Sequence, residues 1–149
     1  MRILECSPYS EDATEMLHEL SQSLLVITGN DGKQSFDLED MCHPNSKFVL
    51  AYCKEQAVGC GAFRPITPEI AELKRMYAKY PGQQIGLTIL KYLEAAAKVS
   101  GYRKIWLETR AVNTRAISFY ERNDYHRIAN YGNYVSREDA VCFEKNLIV

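Results

Sequence analysis

The order of hydrophobic periodicities predicts an α/β (α+β) domain: a mixed, mostly antiparallel central sheet of six to seven strands, flanked by about four helices. Three observations lead there. Two short apolar runs, Phe48–Cys53 and Ala57–Phe63, are separated by Glu55-Gln56, the pattern of an antiparallel hairpin. Two strand–helix–strand successions follow, and their right-handed crossovers bring strands into locally parallel pairs. The segment from Ile85 to Val99 repeats apolar residues at helical spacing.

The elements follow in order. Ile3 to Ser7 reads as a short opening strand ended by Pro8. From Ala13, the apolar residues Met16, Leu17, Leu20 and Leu24 keep to one helical face, and Gly29-Asn30-Asp31-Gly32 ends that helix. Ser35 stands where it can cap a short second helix around Phe36 to Met41, which His43-Pro44-Asn45 stops. After the hairpin, Pro65 to Pro68 makes the next turn. Ile70 to Ala78 alternates, with Leu73, Arg75 and Tyr77 on one face and Glu72, Lys74, Met76 and Ala78 on the other.

The turn Lys79-Tyr80-Pro81-Gly82-Gln83-Gln84 leads into a long amphipathic helix. Its expected apolar face is Ile85, Ile89, Tyr92, Leu93, Ala96 and Val99, and Gly101 stands where a helix C-terminus favours glycine. Lys104 to Thr109 reads as a strand, Asn113 as an N-cap and Ala116 to Arg122 as a short helix. Tyr125 to Ala129 and Ala140 to Leu147 supply the last strands. No repeat, low-complexity stretch or linker interrupts the chain, so residues 1–149 read as one domain.

Composition narrows the function classes. Apolar residues make up 46% and charged residues 25%, which excludes disordered and fibrous chains. The net charge is -1 and no basic stripe is visible, so nucleic acid is not expected as a partner. The N-terminus has no basic region followed by a long apolar run, and no stretch approaches a membrane span of ~18 apolar residues. Cys6, Cys42, Cys53, Cys60 and Cys142 include no Cys-x-x-Cys pair, which fits a reducing, cytoplasmic setting. His18, His43 and His126 lie far apart without metal-ligand spacing, so no metal is expected, and Cys42-His43 reads as structural.

The segment from Glu72 to Glu94 carries the most chemistry. A strand runs through a glycine-containing turn into a helix, whose first-turn N–H groups and positive dipole end suit a phosphate. Gly82 and Gly86 remove side chains where a phosphate would approach the backbone, although turn geometry alone also accounts for glycines there.

A second segment joins it. Ile105-Trp106-Leu107-Glu108-Thr109, then Asn113, then Ala116-Ile117-Ser118-Phe119-Tyr120-Glu121-Arg122 and Tyr125 resemble the strand-five, polar-loop and helix-four pattern of the GCN5-related N-acetyltransferases (GNAT). The family's helix carries A-x-x-[FL]-Y-[EK]-[RK]; its following Gly-Phe or Gly-Tyr pair is Asp124-Tyr125 here. The turn at 81–86 resembles the family's pyrophosphate loop, [QR]-G-x-G-[IV]-G, in either of two registers. The preferred one ends on Gly86 and aligns Ile89, Leu90, Leu93 and Glu94 with the family's Leu, Leu, Leu and Glu. It leaves Pro81 and Gln84 where Arg or Gln and Gly are usual, and shortens the loop by about two residues. The other register, Gln83-x-x-Gly86-x-Thr88, restores the distance from Glu72 but misaligns the helix. The resemblance covers roughly residues 47–130 well and the first 45 in outline.

The resemblance implies a sheet splayed between strands four and five, acetyl-CoA as co-substrate, and acetyl transfer to a primary amine of a small molecule or peptide. Tyr120 takes the position of the family's tyrosine beside the cofactor sulfur, where a phenol can protonate the leaving thiolate. Packing against Phe119 is its structural alternative. Glu72 matches the candidate base, or the acidic group that draws in an amine; pairing with Lys74 or Arg75 is the alternative, and Glu108 is a rival base. Met76 and Ala78 match strand-four positions whose main chain bonds the pantetheine arm. Gly82, Gln83, Gln84, Ile85, Gly86 and Leu87 match the diphosphate loop, and Asn113, Ala116 and Phe119 face the cofactor from the later helix. Tyr125, Tyr131 and Tyr134 are expected either to line the acceptor cleft or to cover a homodimer contact. A non-catalytic acyl-CoA-binding regulatory or interaction module is the competing function.

Overall fold

The computed structural model describes residues 1–31 and 38–148. Seven strands form one sheet: β1 (Arg2–Glu5), β2 (Lys47–Cys53), β3 (Gln56–Thr67), β4 (Ile70–Ala78), β5 (Lys104–Arg110), β6 (His126–Ile128) and β7 (Ala140–Asn146), in the order β1-β2-β3-β4-β5-β7-β6. Every neighbouring pair is antiparallel except β4 and β5. Three α-helices are described: α1 (Glu11–Thr28), α2 (Ile85–Val99) and α3 (Thr114–Arg122). A 3-10 helix, Leu38–Cys42, stands where the second helix was expected; Ser35 and Phe36 lie outside the described residues. Among the described residues, no helix is long and apolar enough to cross a membrane.

Local signals explain the helix ends. Ser10 accepts the Ala13 N–H and starts α1, and Gly29 closes it with φ 77°. Asn113 accepts the Ala116 N–H at 3.2 Å and starts α3. The two faces of the sheet are covered separately. Ala13 and Met16 of α1 pack with Phe48, Leu50 and Cys60 on one side. Ile85, Ile89 and Leu93 of α2, with Ile117 and Tyr120 of α3, pack on Val49, Phe63, Leu73 and Phe143 on the other.

Only the first of the two expected parallel pairs forms, because β7 separates β5 from β6, and three further sequence expectations need correction. The buried face of α2 is Ile85, Ile89, Leu90, Leu93, Glu94 and Ala97, whereas Val99 is 89% exposed. Glu94 can enter the core because Tyr125 Oη donates to it at 2.9 Å and Lys145 Nζ at 3.1 Å. β3 continues past Pro65, and the turn sits on Thr67, whose Oγ1 accepts the N–H groups of Glu69 and Ile70 at 3.2 and 3.1 Å. Finally, the alternation along β4 breaks at Arg75. Ala62 pairs with Lys74 but Cys60 pairs with Tyr77, so Arg75 and Met76 share one position opposite Gly61, and Arg75 takes φ 56°. This bulge exchanges the faces beyond it. Met76 and Ala78 join Leu73 beneath α2, while Arg75 and Tyr77 turn towards α1, donating to Ser21 at 3.0 Å and to Glu19 at 2.9 Å.

Two glycines let α2 settle close to β3. A Cβ on Gly61 would lie 2.6 Å from Met76 Sδ. One on Gly59 would lie 2.6 Å from the Tyr77 carbonyl oxygen, and 2.8 and 2.9 Å from Ile85 and Ile89 side-chain atoms. Gly59→Ala is therefore expected to destabilise the fold by about 1–3 kcal/mol through overpacking, lowering the melting temperature by several degrees. An unshifted thermal melt would mean that α2 does not rest on β3 as described.

Candidate active site

β4 and β5 share only three register pairs, Ile70–Lys104, Ala71–Ile105 and Glu72–Trp106. Beyond them the strands part, and β5 stays with β7 as far as Arg110. A notch of about 150 Å³ opens in the gap. Its walls are residues 73–76 of β4 and 107–110 of β5; Asn113, Ala116 and Tyr120 of α3 close one side. The bulge at Arg75 lies in this wall, so the notch coincides with a break in the β3–β4 register.

Tyr120 is only 8% exposed and packs edge-on against Phe119 and Tyr125, with ring centroids 5.2 and 5.5 Å away. Burial raises its phenol pKa above the ordinary value, so the hydroxyl stays protonated. No described residue is hydrogen-bonded to that hydroxyl. Its neighbour Phe119 reaches the start of α2, where its ring lies 3.6 Å from the Cβ position of Gly86.

The start of α2 is open. Gln84 takes the N-cap position in a left-handed conformation, φ 61°, without a side-chain cap, and Gly82 precedes it at φ 78°. The helix ladder begins with Thr88 N–H donating to the Gln84 carbonyl at 3.0 Å, which leaves the N–H groups of Ile85, Gly86 and Leu87 outside it. No acidic residue occupies the first turn, and Gly82, Gln83 and Gln84 are exposed. Free first-turn donors at an exposed helix start suit an anion.

A larger cavity, about 820 Å³, adjoins the notch; Arg110 and Asn30 line both. Its walls come from the 3-10 helix region (Glu39, Asp40, Cys42 and His43), from Arg64 and Glu72, and from Tyr131, Tyr134 and Arg137 before β7. Glu72 is 3% exposed and fully engaged. Arg64 Nε donates to its Oε1 at 2.9 Å, Tyr131 Oη donates to its Oε2 at 2.6 Å, and Lys74 Nζ stands 4.0 Å away. Arg64 also pairs with Asp40, tying the 3-10 helix to the sheet. Burial, reinforced by Glu72, pushes the Tyr131 phenol pKa far above its usual value. Across the notch, burial raises Glu108 above the usual carboxylate range although Arg110 pairs with it.

The residues singled out from sequence therefore fall into three places. Tyr120, Met76, Asn113 and Ala116 meet in the notch. The 82–87 segment and Phe119 meet at the start of α2. Glu72, Tyr131 and Tyr134 stand in the larger cavity, whereas Ala78 pairs with Gly59 farther along β4 and Tyr125 is buried against Glu94. Arg64, Asp40 and Arg110 were missed. The only signal for Arg64 was its cross-strand register with Glu72, which the misplaced Pro65 turn concealed.

Comparison with known proteins agrees with this geometry. The sequence profile of the acetyltransferase (GNAT) family matches residues 13–125. An IAA acetyltransferase of Azospirillum brasilense is 26% identical over 144 residues, spanning 95% of this chain and 94% of its own. A Klebsiella pneumoniae subsp. pneumoniae structure described as an acyl-CoA N-acyltransferase superimposes with TM-score 0.83 and 26% identity, over 98% of this chain and 97% of that one. A Thermoplasma acidophilum PaiA N-acetyltransferase with coenzyme A bound shares the fold, with TM-score 0.70 and 21% identity, over 98% of this chain and 99% of that one.

The Arg64 cluster has a measurable weight. Arg64→Gln leaves the buried Glu72 carboxylate without its main cationic partner and frees Asp40. Loss of about 1–3 kcal/mol of stability in denaturant titration is expected. A change within a few tenths would mean that the pair is a solvated contact.

Proposed function

The chain belongs to the acetyltransferase (GNAT) family, and on that footing we propose that it moves an acetyl group directly from acetyl-CoA to a primary amine of a small molecule or peptide, as a single acyltransferase domain. Tyr120 carries this reading. It presents a buried phenol to the notch with no protein partner for its hydroxyl among the described residues. The ring is buried but the hydroxyl reaches the open space of the notch, where an atom of a ligand can meet it.

Each residue then has a task. The open N–H groups at the start of α2 hold the diphosphate, a role that depends on backbone and tolerates Pro81 and Gln84. The main chain of Met76 and Ala78 bonds the pantetheine arm along the unpaired edge of β4. Asn113, Ala116 and Phe119 flank the same path from α3. Acetyl-CoA supplies an acetyl group activated as the ester of a thiol with pKa ~8.5. Tyr120, kept protonated by burial, donates to the departing sulfur as its bond to carbon breaks. The amine enters from the larger cavity, whose wall includes the carboxylates of Glu39 and Asp40 and the tyrosines Tyr131 and Tyr134.

For the base, Glu108 fits better than Glu72. Both Glu72 oxygens are engaged, whereas Glu108 lines the notch and pairs through one oxygen with Arg110. Its raised pKa makes its carboxylate a stronger proton acceptor than an ordinary glutamate.

Excess acetyl-CoA, at 100 times its dissociation constant, is expected to stabilise the protein by about 2.7 kcal/mol in a melting scan. Tyr120→Phe is expected to keep that stabilisation and to lower turnover by roughly 10²-fold, followed by thiol release across a panel of polyamines, amino acids, aminoglycosides and peptides. Unchanged turnover would remove Tyr120 as the acid. Binding without turnover on any amine would make the chain an acyl-CoA-binding module instead. Because a base must be ionised, kcat/KM is expected to rise with pH through a value above the ordinary ~4.3 of a glutamate. Glu108→Gln abolishes that limb; a limb that survives it assigns the base elsewhere.

A further inference from the structure

The notch contains an amine of the chain's own. Lys74 lines it together with Tyr120 and Glu108. Its side chain is 10% exposed, whereas Lys54, Lys91 and Lys98 lie on the surface. Nζ donates to Tyr134 Oη at 3.0 Å, stands 4.0 Å from Glu72 Oε1, and lies 5.7 Å from the Tyr134 ring centroid. A carboxylate, a phenol oxygen and an aromatic face are what an incoming ammonium group would seek, and Lys74 already occupies them where the notch borders the larger cavity that Glu72 and Tyr134 line.

The place of Lys74 in the notch wall brings this amine near the reaction. The notch measures about 150 Å³. A lysine side chain in that wall is flexible enough to meet an acetyl group held there. We propose that Lys74 is itself an acetyl acceptor, so that the protein bound to acetyl-CoA acetylates its own β4 strand in the absence of an external amine. The inference rests on acetyl-CoA binding as proposed above.

The step balances without a further reactant. The Lys74 ammonium gives one proton to water, and the neutral amine attacks the thioester carbonyl carbon. A carbon–nitrogen bond forms and the carbon–sulfur bond breaks. The second proton leaves nitrogen as the amide forms and ends on sulfur, by way of the Tyr120 phenol, to give coenzyme A as the free thiol. The acetyl group then stays in the notch on an uncharged side chain, denying that space to a second thioester, so the modification limits itself.

The surroundings help the first of these steps. Burial is the largest influence on Lys74 and brings its pKa below the ordinary lysine value. Arg64 and Arg75 act in the same sense, while Glu72 and Glu108 oppose them. A larger neutral fraction than an exposed lysine carries is available at a given pH, and it grows as pH rises.

The test uses the whole chain with acetyl-CoA and no other amine, read by intact mass and peptide mapping. The expected result is a gain of one acetyl group, located on Lys74 ahead of exposed Lys91 and Lys98, and faster at higher pH. Acetic anhydride, which needs no binding site, is expected to label the exposed lysines first. Lys74→Arg keeps the positive charge but offers no comparable nucleophile, and is expected to lose the gain; if that variant does not fold, the wild-type peptide map decides. Stabilisation by acetyl-CoA without any mass gain, or with acetyl only on exposed lysines, overturns this inference and leaves the acetyltransferase reading standing. Absence of stabilisation removes both.

Discussion

The parting of β4 from β5 after three residue pairs is the constraint on which the rest of this molecule depends. A parallel pair that continued to the strand ends would fill the middle of the sheet and leave no space for a substrate. Here the ladder stops at Glu72 and Trp106, and the bulge at Arg75 bends β4 away just beyond. Backbone groups that lose a ladder must find other partners, because an unpaired buried amide is unfavourable by about 1–3 kcal/mol. An extended ligand arm laid along that edge would meet the requirement, which is the path proposed for the pantetheine arm.

The helices are positioned by the same region. Gly59 and Gly61, on the strand next to β4, let α2 approach the sheet closely enough to aim its first turn past the end of β4. Phe119 then links the start of α2 to α3, and α3 brings Tyr120 to the notch. The open start of α2 and the position of Tyr120 are thus consequences of helix seating, not of any single motif.

Electrostatics divides the two cavities. The larger one concentrates fixed charge: Arg64 between Asp40 and Glu72, with Tyr131 and Lys74 completing the shell of the buried carboxylate. Buried ion pairs add little net stability but oppose rearrangement, since breaking one leaves an unpaired charge in low dielectric. Such a cluster holds the 3-10 helix against β3 and β4 and keeps the cavity wall in place. In the notch, by contrast, burial shifts Glu108 towards its neutral form and keeps Tyr120 protonated, and Lys74, at the border of the two, is shifted the same way by burial. Proton transfer is favoured where charge is disfavoured.

Short-range information determined much of this from the chain alone. Element order, the helix from Ala13 to Gly29, the Asn113 cap and the placement of Tyr120 on α3 depend on residues within a few positions of each other, where periodicity and capping act, and the parallel β4–β5 pair follows from the handedness of the crossover between them. Tertiary structure decided what depended on register between distant strands. The bulge at Arg75 exchanged the faces of Met76 and Tyr77, the turn on Thr67 set Arg64 opposite Glu72, and Lys145 and Tyr125 drew Glu94 into the core. One residue inserted into a ladder reverses every side chain after it, and no local pattern marks the insertion, because a bulge is selected by the strand across from it.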